Sequence, residues 1–161
     1  MTLKQHAIYT GLPVLLLLPV GSLGTLTLFA CGSMLIDVDH YFLFVFREKR
    51  LGIREMFRYH DFLFSRKDEI PYSGICLFHS LEIFALIAFF ACFLPVLLWL
   101  LGGMVYHLLL DLLHLYRHNY LSGRALSVIE HLIRARKHRR LGYPYLQGAW
   151  RAESRKRAGQ G

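Results

Sequence analysis

Residues 83–101 form a run of 19 residues without a charged side chain. A helix that crosses a hydrocarbon core of roughly 30 Å needs about 20 mostly apolar residues. Inside lipid, every segment must satisfy its own backbone polar groups, which leaves helices and closed barrels as the spanning forms. The other apolar region, 8–46, is too long for one span, and Gly21-Ser22-Leu23-Gly24 marks a turn at its middle. The region 75–116 breaks best at Phe93-Leu94-Pro95, because proline suits the first turn of a new helix. Gly102-Gly103 is the alternative break, but paired glycines also serve where membrane helices pack closely. These breaks predict helices over about 5–20, 24–46, 77–93 and 95–120. The expected fold is an all-α integral membrane protein with two transmembrane hairpins, about four spans.

Charge divides the rest of the chain. The formal net charge is +8, although 55% of the residues are hydrophobic. Within 1–121, a polar loop at 47–74 carries seven Lys/Arg and five Asp/Glu between the hairpins. Residues 122–145 are expected to form a basic amphipathic helix. There Leu126, Ile129, Leu132 and Ile133 recur at helical spacing, and Arg and Lys fill the other face, which suits a membrane interface. The remainder, 146–161, reads as a disordered tail. Residues 117–161 hold 11 Lys/Arg against Glu130 and Glu153, and anionic lipid headgroups rather than nucleic acid are the expected partner. Basic loops stay cytoplasmic. The expectation is therefore a multi-pass protein of a bacterial inner membrane, with its C-terminus facing the cytoplasm. The apolar start, interrupted by Pro13 and Pro19, reads as a retained segment rather than a signal peptide. Cys31, Cys76 and Cys92 are scattered and show no metal-knuckle spacing.

His6, Asp37, Asp39, His40, His79, His107 and Asp111 lie in or beside these greasy segments. Ionisable groups there are costly, and a functional site is the default reading. Counting from the turns, His6 lies 16 residues before Ser22 and Asp37 lies 15 after it. His79 lies 16 before Pro95, with His107 and Asp111 12 and 16 after it. A rise of about 1.5 Å per residue places all five roughly 18–24 Å from their turns, in one layer. His107 and Asp111, four apart, share a helix face, and His114 continues it. Asp37 and Asp39 serve one centre only if the helix unwinds between them. Otherwise Asp39 and His40 bind a second ion or orient the ligands of the first. His60 and Asp61 are possible additions from the loop. Imidazole and carboxylate ligands without thiolate suit zinc, and also manganese or iron. So many candidates imply two or three ions, and paired ions can activate water against a phosphoester.

At these residues the chain resembles the bacterial membrane-bound metal-dependent hydrolases, some described as LexA-regulated, long classed as a domain of unknown function. The similarity lies in His6 after a short polar start, Asp37-Val38-Asp39-His40, His79-Ser80, and His107-Leu108-Leu109-Leu110-Asp111. It spans about residues 1–116. Two positions depart from the family pattern. Ile36 stands where a proline usually precedes the first Asp, and the stretch from Gly74 to Ser80 lacks the family's upstream His-Arg. The family is thought to be distantly similar to zinc-dependent phospholipase C and single-strand nucleases, which are all-helical enzymes with three zincs. The resemblance implies phosphoester hydrolysis by analogy.

The expected activity is therefore metal-dependent hydrolysis of a phosphoester, with lipids among the candidate substrates and metal-activated water as nucleophile. Asp39 or His114 is the expected general base, and Arg117 and Arg124 are the expected phosphate holders. Two other classes compete with this one. A membrane scaffold would use the metal structurally, and a metal or proton transporter would need polar residues continuing to the opposite face.

Overall fold

A computed structural model describes residues 3–69, 74–140 and 147–158, with side chains described over 8–69, 74–137 and 150–156. Helices dominate. The first hairpin comprises α1 (Leu3–Leu17) and α2 (Leu23–Leu35). Ser22 caps α2, its hydroxyl accepting the Thr25 N–H at 3.3 Å, which satisfies one of the orphan donors at the helix start. The next element, α3 (Val38–Glu48), is separated from α2 by a turn at Ile36 and Asp37. The break thus falls at Ile36 and Asp37, just before Asp39, and both residues keep right-handed helical backbone angles.

The second hairpin comprises α5 (Leu81–Ala91) and α6 (Leu97–Arg117), with the reversal around Pro95. Gly102 and Gly103 lie inside α6, and close packing requires glycine at the second of them. A Cβ on Gly103 would stand 2.0 Å from the Phe29 carbonyl oxygen, and one on Gly32 would stand 2.2 Å from that of Leu100. The backbones of α2 and α6 thus touch along facing glycines, as small residues permit between apolar helices. Two polar contacts tie α1 to this pair: Thr10 Oγ1 to Ser33 Oγ at 2.7 Å, and the Tyr106 hydroxyl donating to the Tyr9 carbonyl at 2.8 Å.

Among the described residues, two helices are long and apolar enough to cross a membrane, the rod Leu23–Glu48 and Leu97–Arg117. The apolar parts of α1 and α5, Ile8–Leu17 and Leu81–Ala91, are too short, which corrects the expectation of about four spans. At about 1.5 Å per residue, 11 residues reach roughly half of a 30 Å core. The cause is local. A 3-10 turn at Leu77–His79 delays the start of α5, and the reversal before Pro95 ends it early.

The polar connection 47–74 is not simply a loop. It contains α4 (Ile53–Ser65), an amphipathic helix that buries Met56 and Tyr59. It ends in a two-residue strand β1 (Gly74–Ile75), which pairs in parallel with β2 (Arg124–Ala125). The basic amphipathic helix α7 therefore begins only at Val128 (Val128–Arg140), not at 122. Its start is held to the start of α5: Glu82 Oε1 accepts from Ser127 Oγ at 2.6 Å and from the Val128 N–H at 2.9 Å. The tail expected to be disordered over 146–161 instead forms α8 (Gln147–Ala158). Trp150 on α8 is buried with Phe44, Met56 and Tyr59. One buried indole supplies the apolar area that the composition of the tail does not advertise.

Candidate metal centre

Four of the expected ligands meet. Atoms of Asp37, His79, His107 and Asp111 lie within 4.8 Å of one another. They come from three places: the turn between α2 and α3, the 3-10 turn before α5, and two successive turns of α6. His79 and His107 are 0% and 1% exposed. His79 Nε2 stands 3.6 Å from Asp37 Oδ1 and 3.6 Å from Asp111 Oδ2. His107 Nε2 stands 3.3 Å from Asp37 Oδ1 and 3.8 Å from Asp111 Oδ2.

These spacings are long for direct hydrogen bonds. They are close to what a cation demands, since ligand atoms about 2.0–2.1 Å from a tetrahedral zinc stand roughly 3.3–3.5 Å apart. The His79 Nε2 atom is buried without a hydrogen-bond partner, a costly arrangement unless something else occupies its lone pair. The four residues therefore fit a divalent metal ion.

The far side of each imidazole explains its orientation. His79 Nδ1 donates to Asp39 Oδ2 at 3.0 Å, and His107 Nδ1 donates to the Ser33 carbonyl at 2.7 Å. A carbonyl and a carboxylate only accept, so the ring proton sits on Nδ1 in both, and both Nε2 lone pairs face the centre. Asp39 Oδ2 also accepts the Phe78 N–H at 2.9 Å. Its carboxylate therefore fixes the 3-10 turn that carries His79.

The remaining expected residues separate into near and far. His40 is adjacent, with Nδ1 3.0 Å from Asp39 Oδ1 and 3.0 Å from Cys76 Sγ. Arg124 reaches the centre directly: Nη1 donates to Asp111 Oδ2 at 2.7 Å and Nη2 to His40 Nε2 at 3.1 Å. The pairing of β2 with β1 and the Leu81 N–H to Leu126 carbonyl bond at 2.9 Å set it there. His60 stacks on His40 at 4.9 Å and bonds its carbonyl through Nε2 at 3.1 Å. Burial, then the neighbouring His40, pushes the His60 pKa down to about 3, so it is a neutral ring supporting His40.

His114 is not among the four. It stacks with Phe64 at 5.4 Å and His118 at 4.4 Å, because three residues beyond Asp111 the face of α6 has turned toward α4. Arg117, the last residue of α6, is exposed, and so is Asp61 on α4. Asp39 faces histidines rather than open space, which suits an orienting group better than a general base. His6 lies on α1, but its side chain is outside the described residues.

Cys76 and Ser33 are participants that sequence reasoning missed. Cys76 forms a second close group with Asp39 and His79, all buried. Its signal was its place three residues before His79. Ser33 contributes a backbone carbonyl, which no side-chain pattern announces. Comparison with protein-family models, curated proteins and solved structures gives no match for this chain. What the fold and the site define is a helical protein with apolar rods and a buried histidine–aspartate cluster able to hold a metal ion.

Proposed function

We propose that the protein is a membrane-embedded, metal-dependent hydrolase of a phosphoester, with a lipid headgroup as the natural source of that phosphoester. The observation that carries the reading is the convergence of two imidazole Nε2 atoms and two carboxylates from three separate segments. The donor set suits zinc, and manganese or iron after it. When bound, such a cation supplies a Lewis acid and an activated water at neutral pH.

The chain's own residues do the rest. His79 and His107 present lone pairs that Asp39 and Ser33 have already oriented. Arg124 sets a positive guanidinium beside Asp111 and His40, a charge that favours an approaching phosphate. The Asp37 side chain is 30% exposed, so the cluster opens on that side. A closed structural metal site would have no use for such an opening.

The membrane part of the reading rests on exposed apolar surface. Leu15, Leu16, Phe89, Phe93 and Leu98 are each more than half exposed, and patches of that kind call for lipid or a partner. In this reading Leu23–Glu48 and Leu97–Arg117 cross a bacterial inner membrane, and Ile8–Leu17 and Leu81–Ala91 pack beside them within it. The amphipathic helix α4 and the basic helix α7 lie at the cytoplasmic headgroups, with the centre facing the same side.

The test is elemental analysis of detergent-purified protein followed by assay on a panel of phosphodiesters that includes phospholipids. Stoichiometric metal with turnover that disappears in His107→Ala is the expected result. Metal without turnover on any substrate would leave a structural site. Metal flux into proteoliposomes would point to transport.

A further inference from the structure

We propose that this centre holds a single metal ion, and that the guanidinium of Arg124 takes the place of a second cation. The inference rests on the metal-site reading above and refines it, since the spread of His and Asp residues in the sequence implied two or three ions.

Arg124 is the reason. Its side chain is 16% exposed, and its two terminal nitrogens face two of the residues expected to be metal ligands. Nη1 sits 2.7 Å from Asp111 Oδ2, and Nη2 sits 3.1 Å from His40 Nε2. A guanidinium has donors and no acceptor. The His40 Nε2 atom must therefore offer its lone pair to Arg124, which puts the ring proton on Nδ1. That proton faces Asp39 Oδ1 and Cys76 Sγ, both at 3.0 Å. Neither nitrogen of His40 is left to bind a metal while Arg124 is in place.

One oxygen of Asp39 is committed in the same way. Its Oδ2 accepts from both Phe78 N–H and His79 Nδ1, and its Oδ1 faces His40. In the close group of Asp39, Cys76 and His79, Asp39 Oδ2 and His79 Nδ1 already serve each other and Cys76 Sγ lies on His40 Nδ1, which leaves the buried Asp39 Oδ1 alone without a hydrogen bond. His79 would have to surrender the proton that orients its Nε2 in order to bind a second ion through Nδ1. The four-residue group has no such conflict, because both of its imidazoles turn lone pairs inward.

Position supports the substitution. The second positive charge is delivered by the backbone, through the parallel pairing of Gly74 with Arg124 and Ile75 with Ala125. It is a fixed charge, whereas a second metal would exchange. An oxyanion entering beside Asp37, 30% exposed, and His40, 20% exposed, would meet the metal on one side and the guanidinium on the other. This arrangement fits a substrate with at least two negative oxygens on one centre, such as a phosphoryl group.

The test counts ions. The full chain in detergent is saturated with zinc, freed of excess and analysed for metal per chain. Wild type is expected to hold one ion, and Arg124→Lys also one, because the lysine keeps a cation in place. Arg124→Ala is expected to hold two, since Asp111 Oδ2 and His40 Nε2 are then released. Two or more ions in wild type would overturn the inference while leaving the metal centre standing. So would a count of one in a folded Arg124→Ala protein. No zinc in wild type would remove the metal centre itself. The wild-type count decides even if the alanine variant does not fold.

Discussion

Asp39 Oδ2 lies 3.0 Å from His79 Nδ1, across 40 residues of sequence. The contact joins the α2–α3 break to the turn before α5. It also sets which nitrogen of His79 looks inward, so it should govern metal affinity without touching the metal.

Asp39→Asn is therefore expected to weaken zinc binding about 10- to 100-fold, the usual consequence of losing a carboxylate behind a ligand histidine. Competition titration with a chromophoric chelator measures it. An unchanged affinity would show that His79 is oriented by other means.

Removing a ligand outright should cost more. Asp111→Ala deletes one carboxylate of the four and also strands Arg124, whose Nη1 then loses its 2.7 Å partner. A buried charge left without its partner typically costs about 3–5 kcal/mol. The expected outcome is loss of stoichiometric zinc together with a lower unfolding temperature in detergent. Asp111→Asn keeps the shape, and a near-wild-type melting temperature with zinc still lost would separate the two effects.

The facing glycines make a sharper mechanical prediction. Gly103→Ala would place a methyl 2.0 Å from the Phe29 carbonyl, whereas Gly102→Ala meets only the edge of the Phe29 ring at 3.8 Å. The first forces α2 and α6 apart and should destabilise by about 1–3 kcal/mol or more, as overpacking does. The second should be close to neutral. Thermal unfolding of both variants compares them directly, and equal melting temperatures would contradict the close approach of the two helices.

His60 gives an acid sensitivity. Its pKa falls from an ordinary 6.5 to about 3 in the folded protein, chiefly through burial. The unfolded chain therefore takes up this proton first, and stability drops as pH falls from about 6.5 toward 3. His60→Phe keeps a ring against His40 and has no proton to take. Chemical denaturation at stepped pH should show a shallower loss of stability in the variant over that window. An identical slope would sink the assignment.

Trp150 tests the C-terminal helix. Truncating a buried aromatic typically costs about 3–5 kcal/mol, here concentrated in the contact of α8 with Phe44, Met56 and Tyr59. Trp150→Ala should raise hydrogen exchange throughout 150–156 while leaving α6 protected. If exchange there stays slow, the helix is anchored by something other than its indole, for instance the Arg151 to Glu48 pair at 3.1 Å.

Much of the architecture was legible in the residues alone. Uninterrupted apolar runs, a Gly-Ser-Leu-Gly turn and a proline break describe two hairpins, because helix period and turn chemistry act over a few neighbouring residues. Similar distances from the turns also placed Asp37, His79, His107 and Asp111 in one layer, and they meet. Helix lengths were less legible, since the 3-10 turn before α5 depends on Asp39 accepting the Phe78 N–H from another segment.

Sequence by itself thus determined the helical class, the turn positions and a set of seven candidate ligands that contains the four converging side chains. Only the tertiary structure decided which way each imidazole faces. It also brought Arg124, rather than Arg117 or His114, to the centre, and folded the basic tail back through Trp150. The physical reason is the range of the forces involved. Periodicity and turn preference are local and can be read along the chain. Ring orientation, a guanidinium's partners and the docking of one indole depend on strand register and on atoms tens of residues away.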